Sequence, residues 1–145
     1  LSQWFPGKSA KQQAETDAEI TRKFQPLLQS AVQGRLAHWE DAPRSLLALI
    51  VLCDQFSRHI FRHDRQHADM QAADRLALKC AELMLARDWG RMLSIPEQIF
   101  SLMPLRHAPT VERLEIVMRE IDTRTAREQE LHDLLQKFKK TSFRE

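Results

Sequence analysis

Asp54, Arg58 and Arg62 stand four residues apart in the stretch LCDQFSRHIFRHDRQH (52–67), which also carries His59, His63 and His67 at the same spacing. Two chemistries suit these residue types. Guanidinium forks can grip a carboxylate or phosphate, and His107 in the step PLRH is the further group that would help them. Imidazoles every four residues can chelate zinc or copper if they share one unbroken helix. The helix is expected to end near Arg62, so no metal is expected, and a His near a helix C-terminus is favoured by the dipole in any case. Asp54 one turn before Arg58 is the favourable order for an intrahelical ion pair. Buried charge must be paired, so the competing reading is a network that fixes helix packing. Hydrolytic catalysis would need a nucleophile, a base and an orienting acid. His107 and Asp54 make a base–acid pair only if folding joins them, so whether the chain is an enzyme stays open.

The element that must position these residues is a helix over about 43–62. Asp41 is its expected cap, and Pro43 suits its first turn. Its first half, LLALIVLC, is apolar all round and is expected to be buried on every side. The stripe through Leu47 and Val51 continues as Asp54, Arg58 and Arg62, which places those charges in the core rim or a groove. Before it, a helix is expected from Thr16 or Asp17, with Ile20, Phe24, Leu27, Leu28, Ala31 and Val32 at helical spacing. Pro26 should kink or break it, and Gly34 should stop it. After it, a helix over 69–87 turns Ala72, Leu76, Cys80 and Leu83 inward, with Met84 at the edge of that face. SIPE (94–97) reads as a capping box opening a short helix that Pro104 ends. Thr110 caps the next, with Val111, Leu114, Val117, Met118 and Ile121 inward. A joint at 122–125 then separates a last helix bearing Leu131, Leu134, Leu135 and Phe138.

The composition agrees. The chain has 145 residues, three of them Gly and none Tyr, which leaves no glycine-rich phosphate loop and suggests helix throughout. Its length suits a single domain, 1–145. The net charge of +2 gives no push toward nucleic acid or an anionic membrane. The apolar run at 45–52 is too short to span a bilayer, and no signal peptide is read. Cys53 and Cys80 sit in apolar helical patterns without a C-x-x-C, as reduced core thiols of a cytoplasmic protein do. Trp4, Trp39 and Trp89 are expected to be core anchors. No motif asks for a cofactor. The first residue is Leu, so the chain is expected to be processed, renumbered or a piece of a longer one.

WF at 4–5, TDAEITRKFQPLLQSAVQGRLAHWEDAP, LALIVLCDQFSRHIFR and FSLMPLRHA occur in that order. Together they resemble an uncharacterised bacterial family, domain of unknown function number 924, over about 4–121. Within that resemblance Ser57 replaces the usual Pro, His59 the usual Asn, His63 a frequent Gly and Arg106 a common Glu, and the closing motif is reduced to FKKTSFRE. The resemblance implies a tetratricopeptide-like superhelix and no known activity. The expected architecture is all-α: an antiparallel superhelix of six or seven helices. Two functions are expected to compete. One is a scaffold binding a peptide or protein partner. The other is a small-anion-binding protein or enzyme using Asp54, Arg58, Arg62 and His107. Oligomeric state is not legible.

Overall fold

Ser9 opens the first helix, α1 (Ala10–Val32), with a reciprocal capping box: its hydroxyl accepts from the Gln12 amide, and the Gln12 side chain accepts from the Ser9 amide. The expected start at Thr16 was too late, because the polar residues before it carry no apolar period. The helix passes through Pro26 without a break. It ends at Gly34 (φ 81°), where Gly34 N–H bonds the Ala31 carbonyl and Arg35 N–H the Ser30 carbonyl. That is a Schellman cap, and the left-handed residue at its centre suits glycine.

In this computed structural model residues 9–144 are described, and all regular structure among them is helical. A 3₁₀ turn, Ala37–Asp41, leads into the central rod, α2. The rod has an α-helical part (Pro43–Ile50), a π-helical stretch (Val51–Phe56) and a last α-helical turn (Ser57–Ile60). Its cap is Ala42, without a side-chain bond, and Asp41 lies in the preceding turn. The start is therefore fixed by Pro43 rather than by the expected Asp41 cap. Then follow α3 (Ala68–Ala86), a 3₁₀ turn (Trp89–Met92), α4 (Ile95–His107) and α5 (Val111–Arg144). Counting the rod once, the described residues form five helices where six or seven were expected. Residues 122–125 are no joint: α5 runs through them, because nothing in that step breaks a helix.

The chain divides into two compact units, one up to Pro104 and one from Leu105 onward. In the first unit α2 packs against both α1 and α3, and α1 also meets α3. Leu28 and Ala31 of α1, Leu46, Leu49, Ile50, Leu52 and Cys53 of α2, and Ala73, Ala77 and Cys80 of α3 make the core. Phe24 meets Phe56 with ring centroids 4.6 Å apart. Trp39 and Trp89 pack on the rim of this core, and Arg87 lies over the Trp89 ring; Trp4 lies outside the described residues. The apolar first half of α2 is covered as expected, except that Ala48 faces solvent. Burial pushes the Cys53 and Cys80 thiols up to about 12, so both remain protonated.

In the second unit Thr110 accepts the Arg113 amide and opens α5. Of the residues expected to face inward there, Val117 is buried. Val111, Leu114, Met118 and Ile121 are exposed, as are Leu131, Leu134, Leu135 and Phe138. The Ser94–Glu97 capping box forms as expected, but α4 continues past Pro104 to His107. Leu102, Met103 and Leu105, on either side of the proline, are buried. Among the described residues no helix is long and apolar enough to cross a membrane.

Candidate functional site

The middle of α2 is wound as a π-helix, whose wider turn shifts side chains off the α-helical register. The Ser57 hydroxyl donates to the carbonyls of Cys53 (2.5 Å) and Asp54 (3.2 Å), and Arg58 Nη1 also donates to the Asp54 carbonyl at 3.2 Å. Side chains thus bind the carbonyls that this widened turn presents. Asp54 is 1% exposed. Its carboxylate accepts from Gln55 Nε2 at 2.6 Å.

The two arginines part company here. The Arg58 side chain, 10% exposed, reaches α3 and meets Asp74 at 3.1 Å. Arg62, just past the rod, turns to α1: its Nε meets Asp17 Oδ2 at 2.6 Å and its Nη2 meets Oδ1 at 3.3 Å. His59 Nδ1 lies 2.7 Å from the same Asp17 Oδ1. Of the expected stripe Asp54 is buried and the two arginines partly buried, and the arginines are bonded to neighbouring helices. Arg58 touches Asp54 through a carbonyl, and Arg62 is committed to Asp17. His107 closes α4 and belongs to the second unit.

The electrostatics follow from this geometry. Burial pushes the Asp17 carboxyl up, but hydrogen bonds from Arg62 and His59, with their charges, outweigh it and hold the group below its usual range. Asp17, His59 and Arg62 form one compact acid–imidazole–guanidinium cluster at the junction of α1 and α2. The cluster can fix the imidazole's orientation and tether α1 to the rod. Among the described residues, every fully buried side-chain nitrogen and oxygen has a partner.

The three-histidine ribbon does not exist as one helix, because the rod ends at Ile60. His59 is held by Asp17, while His67 caps α3 by accepting the Asp69 amide and stacks on Phe61 at 4.7 Å. Among the described residues no group of three His, Cys, Asp or Glu side chains is placed to hold a metal. A shallow, open depression of about 400 Å³ lies along α1, lined by Gln12, Glu15, Thr16, Glu19 and Ile20, and includes none of the arginines.

Sequence reasoning missed Asp17 and Asp74 as partners. Asp17 carried a usable signal, since it falls on the same helical stripe as Phe24, Leu28 and Ala31, where a carboxylate should not stand unpaired. Asp74 carried none, being one of several charges on α3.

The fold and this cluster define an all-helical protein with a central π-bulged rod tied by partly buried ion pairs to its two neighbours. The chain belongs to the family of bacterial proteins of unknown function DUF924, whose model matches residues 1–144. It is similar to the solved structure of a protein of unknown function from Agrobacterium tumefaciens. The two are 28% identical with a TM-score of 0.64, over 79% of this chain and 64% of that one. The chain thus spans less than two thirds of that relative's length. No curated protein matches it.

Proposed function

We propose that the chain is a helical interaction scaffold, tetratricopeptide-like in the stacking of successive helices, that works by binding a protein or peptide partner. The observation that carries this reading is the apolar face of α5. Leu131, Leu134, Leu135 and Phe138 follow one another at helical spacing, each more than half exposed. A contiguous apolar face of that kind on a helix marks a contact surface.

The alternative is a small-anion-binding protein or enzyme using Asp54, Arg58, Arg62 and His107. Its arginines already meet Asp74 and Asp17, so an anion would have to displace a carboxylate from each. That favours a structural role for the cluster.

Two measurements test the choice. An apolar fluorescent dye should bind the dilute chain and be lost in Leu131→Asp/Leu134→Asp, with helicity unchanged. Absence of both dye binding and association at every concentration would overturn the scaffold. Phosphate or citrate should leave the melting midpoint where it is. A rise that Arg62→Ala abolishes would hand the site to the anion reading.

A further inference from the structure

Six of the eight large apolar residues described as exposed on α5 are arranged symmetrically about one residue, Ala126; Val111, opposite Thr141, and Leu135 are the other two. Leu114 and Phe138 lie twelve residues either side of it, Met118 and Leu134 eight, and Ile121 and Leu131 five. All six are between 43% and 71% exposed. Between them lie Arg124 and Glu128, two residues either side, joined within the helix at 3.0 Å. Val117 and Leu135, nine either side, obey the same symmetry, with Val117 already buried within the chain.

From this pattern we infer that α5 is a self-association surface: two copies of the chain pair through it, antiparallel, about a twofold axis at the level of Ala126. The inference deepens the scaffold reading and rests on it, since it names the partner as a second copy.

The physical argument has three parts. In an antiparallel pair, a residue lies level with the one equally far beyond the axis on the other copy. Leu114 therefore meets the level of Phe138, and Ile121 that of Leu131, so apolar side chains stack from both ends toward the centre. Leu114, Ile121, Glu128 and Leu135 recur every seven residues, as do Val117, Arg124, Leu131 and Phe138. That is the spacing of a two-helix seam, with Met118 and Leu134 on its flanks. Charge then selects the direction. An antiparallel pair sets each Arg124 level with the other copy's Glu128, so the two intrahelical pairs join into an alternating four-charge cluster. A parallel pair would set Arg124 beside Arg124 and Glu128 beside Glu128. A closed twofold contact of this kind uses the same patch on both copies and stops at two.

The test uses the whole chain. Light scattering and sedimentation over a rising concentration series should show a monomer passing to a dimer, and Leu134→Asp should hold it at the monomer mass with unchanged helicity. Register is read by oxidation. Ile121→Cys/Leu131→Cys should cross-link two copies, while Ile121→Cys alone should not. The two introduced thiols lie ~15 Å apart along one helix, too far to join each other. The native Cys53 and Cys80 are buried and stay out of the reaction. A charge exchange gives a second reading that does not depend on apolar side chains: Glu128→Arg should weaken the dimer, and adding Arg124→Glu should restore it. A chain that stays monomeric at every concentration overturns the inference, as does a dimer that survives Leu134→Asp or cross-linking by Ile121→Cys alone. A monomer that still binds the apolar dye would defeat this inference and leave the scaffold reading standing. A chain with neither dye binding nor association would defeat both.

Discussion

The rod α2 and the helix α5 look alike as sequence. Both carry apolar side chains at helical spacing, and both end in charged residues. In α2 those side chains are covered: Leu46, Leu49, Ile50, Leu52 and Cys53 are each 3% exposed or less. In α5 the counterpart stripe is open to solvent along most of its length. The difference lies in what each helix can be stabilised by. In α2 the coverage comes from both α1 and α3, and two partly buried ion pairs, from Arg58 and from Arg62 just past its end, hold it to them. α5 holds its form through the intrahelical ladder, a Thr110 cap and pairs such as Arg124–Glu128. Apolar periodicity therefore says which face of a helix seeks cover. It does not say whether the cover comes from the same chain.

The largest effect that can break this comparison is a cavity. Leu49→Ala or Leu52→Ala in α2 should cost ~2–5 kcal/mol, because neither site can collapse between two packed helices. The same truncation at Leu134 in α5 should cost within ~0.5 kcal/mol when measured on the dilute chain. Chemical denaturation of the three variants reads both. Equal losses would mean that the two helices are equally covered, and the comparison would fail.

Charge comes next. Arg58→Ala removes a donor from the Asp54 carbonyl and from Asp74. The loss should be about 2 kcal/mol, in the range for hydrogen bonds that involve a charged group. It is smaller than the loss expected from stranding a fully buried carboxylate, since Asp74 is nearly half exposed. A change near zero in denaturation would mean that the π-helical stretch holds without its arginine.

How much of this was legible follows from the range of each interaction. Gly34 as a stop, Ser94–Glu97 as a capping box and Thr110 as a cap were readable because each is satisfied within a few residues. Burial of Asp54 and partial burial of Arg58 and Arg62 were readable from the stripe they extend. Their partners were not, because Asp17 lies 42 residues from His59 and 45 from Arg62. Pattern alone cannot choose among distant carboxylates. The π-helical stretch was invisible for a different reason: its apolar side chains keep a spacing that an ordinary α-helix also fits. For α5 the apolar stripe was read, but of the residues expected to face inward there Val117 alone is buried, because spacing marks a face and not what covers it.

Acid sharpens the comparison further. Asp17 is partly buried, which alone would raise its carboxyl, but Arg62 and His59 hold it below 3.8, the value of a free aspartate. The unfolded chain thus takes up this proton at a higher pH than the folded one. The contribution is complete well above 3.8 and is lost as pH falls through that value toward the folded one. Asp17→Asn should therefore cost about 1–2 kcal/mol at neutral pH, with the gap to the unaltered chain closing below about pH 4. A gap that stays constant across the acid range would show that the tether between α1 and α2 does not depend on charge.

The smallest effect concerns how α5 begins. The Thr110 hydroxyl accepts one amide, that of Arg113, at 3.1 Å. A helix held by tertiary packing loses a cap as part of one cooperative unit, and the loss appears in the global transition. A helix whose stripe is open to solvent can fray from its end alone. Thr110→Ala should accordingly cost ~0.5–1 kcal/mol locally. Its expected mark is faster amide exchange in the first turn of α5, with the midpoint of global unfolding unmoved. Ser94→Ala, which removes the hydroxyl that accepts the Glu97 amide at the start of α4, a helix whose Gln98, Ser101, Leu102 and Met103 are buried, should instead move that midpoint. If Thr110→Ala shifts the global transition as much as Ser94→Ala does, α5 unfolds with the core. Its open stripe would then have to be covered in solution by something that ties it to the rest of the chain.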